Sequence, residues 1–532
     1  MRSAKFSNHE GYNNSWSAYG MSQRIIEENV IYKKARKNTI RMAVLYPSVP
    51  QVALDSLSFQ MLYYWLNSID EFYAEQVMLD FNGNPLARTL ETGTPLRNLD
   101  YVIVTVHYEL DFVNILRILL EAGIEPYSSK REKPIIVAGG PPVISNPTPL
   151  SPFVDILVVG EIESTLPLLV KEILAYAPEK KRLLESLRPS KGFYVPALHS
   201  GEKVVLNHAE KLPREFHPSA QLQLVDSPAK WKSRTAVETS RGCFRLCSFC
   251  LEGHIFYGLR ERPLSQIKDI VSEGYVYNHS RNIKIVSLSF FDHKEADFIL
   301  EWLLSEGYSF SIPSIRAETL NEKRLEYIKL GGQKMLTIAP ETGSLKLASL
   351  IRKSLSIEQA VEIASTAKKL GFTSLKVYLM IGLPGENEGD LLETAMYVQK
   401  LSEESGFKGE KELKVTVSIF VPKPHTPLQF ARFVGIAEAR RRVEMLMNKL
   451  KGLADIRVYD PRLAYIQAII SRGDQELSHL ILEWALAGGG LGGWRKAMKM
   501  TSLDVTRYLE PSFRDPPWHF IYLPSLPRNL KL

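Results

Sequence analysis

Arg241-Gly242-Cys243-Phe244-Arg245-Leu246-Cys247-Ser248-Phe249-Cys250 carries all three cysteines of a 532-residue chain, spaced C-x3-C-x2-C. Thr235–Ser240 before it reads as the end of a strand, so the cysteines sit on the loop that leaves that strand. Three thiolates on one tight loop can hold three corners of a cubane iron–sulfur cluster, leaving the fourth iron open to a small molecule. Two blander readings use the same residues. Cys243, Cys247, Cys250 and His254 would close a zinc shell, making the chain a zinc-stabilised RNA-binding protein. Buried cysteines also pack simply as small hydrophobes.

Working outward, short apolar runs alternate with helical patterns. Downstream, the strand candidates are Thr235–Ser240, Ile283–Phe290, Ser309–Ile315, Lys334–Ala339, Leu375–Ile381 and Lys414–Val421. Helical patterns such as Ile357–Leu370 and Asp390–Glu403 lie between them. This alternation predicts a partial (β/α)6 TIM-like barrel, whose active site would lie on the loops after the strands. At that end stand Ser289, Arg316, Pro340-Glu341-Thr342-Gly343, Gly382-Leu383-Pro384-Gly385-Glu386 and Pro422-Lys423-Pro424-His425-Thr426-Pro427. Each alone reads equally as a turn or a helix start, while glycine there also lets backbone approach a ligand.

Upstream, Ile40–Tyr46, Tyr101–Val106, Pro134–Ala138 and Asp155–Val159 are apolar strands between helical stretches. The chain is therefore α/β, with a parallel Rossmann-like sheet over residues 40–176. Ligands bind at the carboxyl ends of such strands, here Tyr46–Ser58, Thr105–Asp111, Gly139–Pro149 and Gly160–Ser164. Residues 1–39 read as a flexible basic arm, 177–231 as a connector with a hairpin at Phe193–Leu212, 232–430 as the cysteine-bearing core, and 431–532 as a helical C-terminal region and tail.

Hydrophobic content of 45% and charged content of 23% are ordinary for a globular chain. No apolar run approaches the ~18 residues of a membrane span, and the N-terminus lacks the apolar centre of a signal peptide. Cysteine confined to one loop allows no disulfide framework and points to the cytoplasm. Part of the +7 net charge lies in Lys33-Lys34-Ala35-Arg36-Lys37 and Arg440-Arg441-Arg442. Such runs are usually solvated faces, and as binding patches they would suit RNA or an anionic lipid surface.

The cysteine loop, with Phe249 before its last cysteine, resembles the signature of the radical SAM superfamily. The likeness extends from about Ile40 to Trp518, to a family of uncharacterised radical SAM proteins with an N-terminal B12-binding-type domain. It is carried by Leu45-Tyr46-Pro47-Ser48, Tyr108-Glu109-Leu110-Asp111, Ala138-Gly139-Gly140-Pro141, Ser314-Ile315-Arg316-Ala317-Glu318, Ala339–Gly343, Met380–Pro384 and Phe420–Pro427. The resemblance implies an enzyme of methyltransferase type. In it Cys243, Cys247 and Cys250 ligate a [4Fe-4S] cluster whose open iron chelates S-adenosylmethionine. An electron from a ferredoxin- or flavodoxin-type donor then yields a 5′-deoxyadenosyl radical. The resemblance places Ser289 and Arg316 at the methionyl end, Glu341 at the ribose, and Phe249, Gly382 and Leu383 at the adenine. In the first domain it implies cobalamin contacts at Tyr46, Ser48, His107, Gly139, Gly140 and Gly160. One departure is plain: no Asp-x-His-x-x-Gly follows Tyr46. Cobalamin would then bind without a protein ligand, or the domain binds something else, and His107 reads as a satisfied loop histidine or a ligand contact. The implied reaction is cobalamin-assisted methylation of an unactivated carbon. Carbon–carbon coupling or ring formation on a lipid chain, and modification of RNA or a ribosomal protein, are the alternatives. The sequence names neither substrate nor catalytic residue.

Overall fold

The computed structural model describes residues 27–34, 36–224, 233–313, 315–510 and 515–527. The apolar run Ile40-Arg41-Met42-Ala43-Val44-Leu45 forms β1 (Ile40–Leu45), which pairs in parallel with β2 (Phe72–Val77) and β3 (Tyr101–Thr105). Beyond β3 lie β4 (Ile135–Gly139) and β5 (Ile156–Val158), also parallel, and β6 (Phe193–Tyr194), antiparallel at the edge. The order is β2-β1-β3-β4-β5-β6. These strands are apolar on both sides because both faces of the sheet are covered. Helices Leu57–Asn67 and Ile162–Tyr176 cover one face through Phe59, Leu66, Leu169 and Ile173. The other is covered by Asp111–Glu121, on which Leu477–Leu486 packs from the far end of the chain, with Pro461–Arg472 and Gly490–Thr501 completing the same apolar core. The order reverses between β1 and β3, where open α/β sheets form a ligand crevice.

The cysteine loop belongs to a second system. β7 (Thr235–Glu238), β8 (Asn282–Val286) and β9 (Ser309–Ser311) form one parallel group. β10 (Met335–Glu341), β11 (Ser374–Ile381), β12 (Leu413–Ile419) and β13 (Asp455–Val458) form another. Ladder hydrogen bonds do not join β9 to β10, but one core holding Ile283, Phe310, Leu336, Val377 and Val415 unites the groups. Along β12 every second residue is buried, as a strand with one face on its helices requires.

Two sequence expectations are corrected. Residues 27–34 are no loose arm: Glu27–Glu28 pairs with Gln223–Leu224. Tyr63 Oη accepts the Ile31 N–H at 2.8 Å, and Lys33 Nζ donates to the Ile69 and Phe72 carbonyls at 2.9 and 2.8 Å. Phe193–Leu212 forms no hairpin. Phe193–Tyr194 joins β5, while Val204–Val205 pairs in parallel with Ile521–Tyr522 of the tail. The region 431–532 is mostly helical and also supplies β13, too short for its apolar pattern to register. Residues 1–26 of the expected arm, Ala35, residues 225–232 and Ser314 lie outside the described residues. Among the described residues, no helix is long and apolar enough to cross a membrane.

Candidate active site

After β7 the chain turns through Gly242 into the cysteine loop. Gly242 has φ +86°, and a Cβ there would lie 2.2 Å from the Gly258 carbonyl oxygen. Only glycine lets the loop lie so close to residues 256–258. Elsewhere the loop is pinned by Ser248 N–H to Ile351 O at 3.0 Å and Leu428 N–H to Ser248 O at 3.3 Å. Those anchors follow β10 and β12, so the loop spans the strand ends.

Each sulfur meets a nitrogen donor. The Arg245 N–H donates to Cys243 Sγ and the Gly253 N–H to Cys250 Sγ, both at 3.4 Å, and Arg316 Nη1 reaches Cys247 Sγ at 3.7 Å. Hydrogen bonds to sulfur are among the features that tune cluster thiolates. Burial pushes the Cys250 thiol up to about 12 and raises that of Cys243, so metal binding must displace protons there. His254, the fourth ligand of the zinc reading, is buried with its Nδ1–H on the Cys250 carbonyl at 2.8 Å. Among the described residues, no three His, Cys, Asp or Glu side chains are assembled to hold a metal ion.

The strand-end residues fall into two sets. Arg316 reaches Cys247 and ion-pairs with Glu318 at 2.7 Å, its Nε buried without a partner. Ser289, after β8, is buried and its Oγ also lacks a partner. Such orphaned polar atoms are what a polar ligand would satisfy. Leu383 and Phe249 pack in one cluster with Leu347, Ile351 and Phe420. Gly382 takes φ +83° and donates its N–H to Glu386 Oε2 at 2.7 Å. Glu341 has its carboxylate on Lys353 Nζ at 2.7 Å. Its φ of +69° is uncommon for a residue with a Cβ and coincides with a register shift between β10 and β11.

A cavity of about 740 Å³ lies between the first sheet and this loop. Tyr46, His107, Gly139, Gly140 and Gly160 form one wall, and Glu238, Arg241, Glu252, Phe256 and Leu288 another. Ser48 is not on the wall: its N–H donates to Tyr46 O and its carbonyl accepts the Leu79 N–H, so it holds the turn. Two of the glycines answer to the chain itself. A Cβ on Gly140 would lie 1.9 Å from Val106 O, and one on Gly160 2.5 Å from Thr165 Cγ2. The His107 ring stacks on Tyr46 with centroids 5.3 Å apart. His107 Nε2 lies 2.8 Å from Ser58 Oγ and 3.0 Å from Thr105 Oγ1. Burial lowers its pKa to about 4, leaving a neutral imidazole.

Ser58 and Glu161 lie in the strand-end loops expected to meet a ligand but were not singled out within them, and Glu252 carried no sequence signal, because each sits in ordinary loop or helix-start context. The two expected basic patches differ. Arg441 pairs with Glu438 and Glu388 and Arg442 with Glu438 and Glu386, whereas in the first patch Lys33 is hydrogen-bonded to carbonyls and Lys34, Arg36 and Lys37 are exposed.

Residues 58–196 match the family model for the N-terminal region of radical SAM proteins, and residues 237–398 that of the radical SAM superfamily. An uncharacterized protein of Methanocaldococcus jannaschii is 28% identical over 439 residues, 82% of this chain and 89% of its own. An uncharacterized methyltransferase of Pyrococcus horikoshii is 28% identical over 284 residues, 51% of this chain and 59% of its own. Among solved structures, the radical S-adenosylmethionine methyltransferase TsrM from Kitasatospora setae, with cobalamin and a [4Fe-4S] cluster bound, aligns with a TM-score of 0.58 at 13% identity. That alignment covers 87% of this chain and 100% of that one. The cobalamin-dependent S-adenosylmethionine radical enzyme OxsB aligns with a TM-score of 0.51 at 17% identity, covering 88% of this chain and 72% of the other. At such identities the likeness is one of fold.

Proposed function

We propose, from the premise that the chain is a radical SAM enzyme, that it binds cobalamin in the cavity between its sheets and methylates an unactivated carbon. In this reading residues 40–176 are a Rossmann-like cobalamin module and β7–β12 a partial TIM-like barrel, working in the cytoplasm with a ferredoxin- or flavodoxin-type reductant. The observation that carries it is where the cavity lies. Its walls come from the crevice of the first sheet and from Glu252 and Phe256, directly after the last cysteine. A flat cofactor there would border both regions.

Bound, the cluster supplies the electron that cleaves S-adenosylmethionine, and cobalamin supplies a methyl carrier. The chain's own residues hold and orient. Cys243, Cys247 and Cys250 are the cluster ligands, and Arg316 supports Cys247. Ser289 Oγ and Arg316 Nε offer unpartnered polar atoms to the methionyl end. Phe249, Gly382 and Leu383 form the adenine side, and Glu341 reaches the ribose by exchanging its Lys353 contact. Tyr46 and the neutral His107 present a stacked pair to the cavity, the backbone at Gly139 lets the cofactor lie close, and Gly140 keeps the wall in shape against Val106.

The test is anaerobic reconstitution with iron, sulfide and hydroxocobalamin. About four irons and four sulfides per chain are expected, with cobalamin retained through gel filtration and 5′-deoxyadenosine formed under reduction. One zinc without sulfide would refute the cluster, and loss of all cobalamin on the column would refute the cavity assignment.

A further inference from the structure

Charged groups from both domains meet directly beside the cysteine loop. Glu161 and Glu163 stand at the start of helix Ile162–Tyr176, on the first domain. Arg241, the residue before Gly242-Cys243, donates from Nη1 and Nη2 to the two oxygens of Glu163, each at 2.7 Å. Its Nε donates to Glu238 Oε1 at 2.7 Å. Arg260 Nη1 donates to Glu161 Oε2 at 2.5 Å and Arg262 Nη2 to Glu238 Oε2 at 3.0 Å. Three carboxylates thus balance three guanidiniums, and none of the six side chains is more than 16% exposed. The neighbouring histidines add no charge, because burial lowers the pKa of His208 and takes that of His217 to about 3. Burial opposes ionisation of Glu238, but Arg241 and Arg262 outweigh it and hold its carboxyl near 2.

Bidentate arginine–carboxylate pairs fix geometry as well as charge, and deleting one partner of a buried pair strands the other. An interdomain pair need not touch the cysteine loop, and a second one on the same cavity wall does not. Asp55 contacts Arg234 Nη2 at 2.5 Å and Lys284 Nζ at 2.6 Å, with its side chain 31% exposed. The Glu163 pair differs in one respect: its arginine is the residue from which the cluster loop departs.

We propose that Glu163 is a positioning residue for the cluster. Held by the first domain, it fixes Arg241, and through Arg241 both the start of the cysteine loop and the charge beside the iron. The proposal rests on the cluster reading above.

Its test compares Glu163→Gln with Asp55→Asn in the full chain. Both variants and the wild type are reconstituted anaerobically, assayed for iron and sulfide, and titrated for the cluster's midpoint potential by electron paramagnetic resonance. Neutralising Glu163 removes one negative charge beside the loop and leaves Arg241 hydrogen-bonded to Glu238 alone, which favours the reduced cluster. The expected result is a shift to more positive potential of about tenfold in the reduction equilibrium, about 59 mV for one electron. Asp55→Asn should leave the potential unchanged, and Glu163→Asp, which keeps the charge, should restore it. No shift in Glu163→Gln, or an equal shift in Asp55→Asn, overturns the proposal. If Glu163→Gln does not fold, Arg241→Gln removes the guanidinium that Glu163 holds and should shift the potential in the opposite, negative direction; an unchanged potential there overturns the proposal equally. A wild-type chain with neither iron nor sulfide removes the premise and the proposal together.

Discussion

The cysteine face and the interdomain cavity are built in opposite ways. The first departs from one decapeptide and from successive strand ends of one sheet system, and it keeps buried polar atoms without partners, Ser289 Oγ and Arg316 Nε. The second is assembled from segments far apart in the chain, where hydroxyls satisfy His107 and arginines satisfy Glu238. It keeps polar valences too, at Gln51 Oε1 and Glu161 Oε1. The difference is that the charges on the cavity wall also hold the domains together, so a ligand there meets groups already committed to the fold.

Replacing Cys243, Cys247 and Cys250 by Ala tests that separation most severely. All iron and sulfide should be lost, while the fold and cobalamin uptake in the cavity, followed by the corrin absorbance, remain. Loss of cobalamin together with iron would show that the two regions are one site.

Next in size is Gly140→Ala. A residue forced to φ +122° against the Val106 carbonyl incurs roughly 1–3 kcal/mol of backbone strain, and overpacking adds a comparable amount. A drop of the thermal midpoint, in protein without added cofactor, would confirm that this glycine serves the chain before any ligand. An unchanged midpoint would return it to the cofactor.

Glu341→Gln acts on the other region. Hydrogen bonds to a charged group contribute roughly 1.5–3 kcal/mol, so the Kd for S-adenosylmethionine should rise on the order of tenfold or more with cluster content intact. Calorimetric affinity equal to wild type would assign Glu341 to its Lys353 contact alone.

A pH titration reaches a third place, away from both. Burial lifts Glu27 to about 7 and Glu91 to about 8, and both bond to Gln76. Tyr32, Tyr63 and Tyr64 face them, while Arg41 is committed to Glu75. These pKa values lie above the unfolded carboxyl value of 4.5, so the folded state binds extra protons between about pH 5 and 8 and loses stability as pH rises through that window. Amide exchange of residues 27–34, corrected for its intrinsic rate, should accelerate there while the cysteine loop's protection holds. Uniform exchange across the window would remove the effect.

The smallest effect belongs to His107→Ala. With Nε2 held by Ser58 and Thr105, the cobalt spectrum of bound cobalamin should not change. Nitrogen coupling in the Co(II) resonance that vanishes in the variant would place His107 on the metal.

Legibility followed the same division. The apolar runs of β1, β3, β4 and β5 can be read directly, as can the cysteine spacing. β2 could not, because Phe72-Tyr73-Ala74-Glu75-Gln76-Val77 contains two polar residues that are nonetheless buried. Glu75 is accommodated by Arg41, Thr89 and Thr92, and Gln76 by Glu27 and Glu91. Nothing local to Glu163 reveals that it will meet Arg241, because that contact is made only when two domains dock. Conversely, the glycines of the first domain were legible as special while their reason was not. Gly140 and Gly160 answer to neighbouring backbone and side chains that a linear pattern does not display.

Helix Leu477–Leu486, with Gly490–Thr501 packed on it, covers helix Asp111–Glu121 of the first domain, which is translated long before them. At about 5–20 residues per second, the wait is on the order of tens of seconds. During that time Ile115, Leu119 and Trp484's eventual seat are bare on the nascent chain. A ribosome-bound intermediate of this protein should therefore be a client of holding chaperones, and a stop codon before residue 477 should yield an insoluble product even though every strand of both sheet systems except the tail pair has been made.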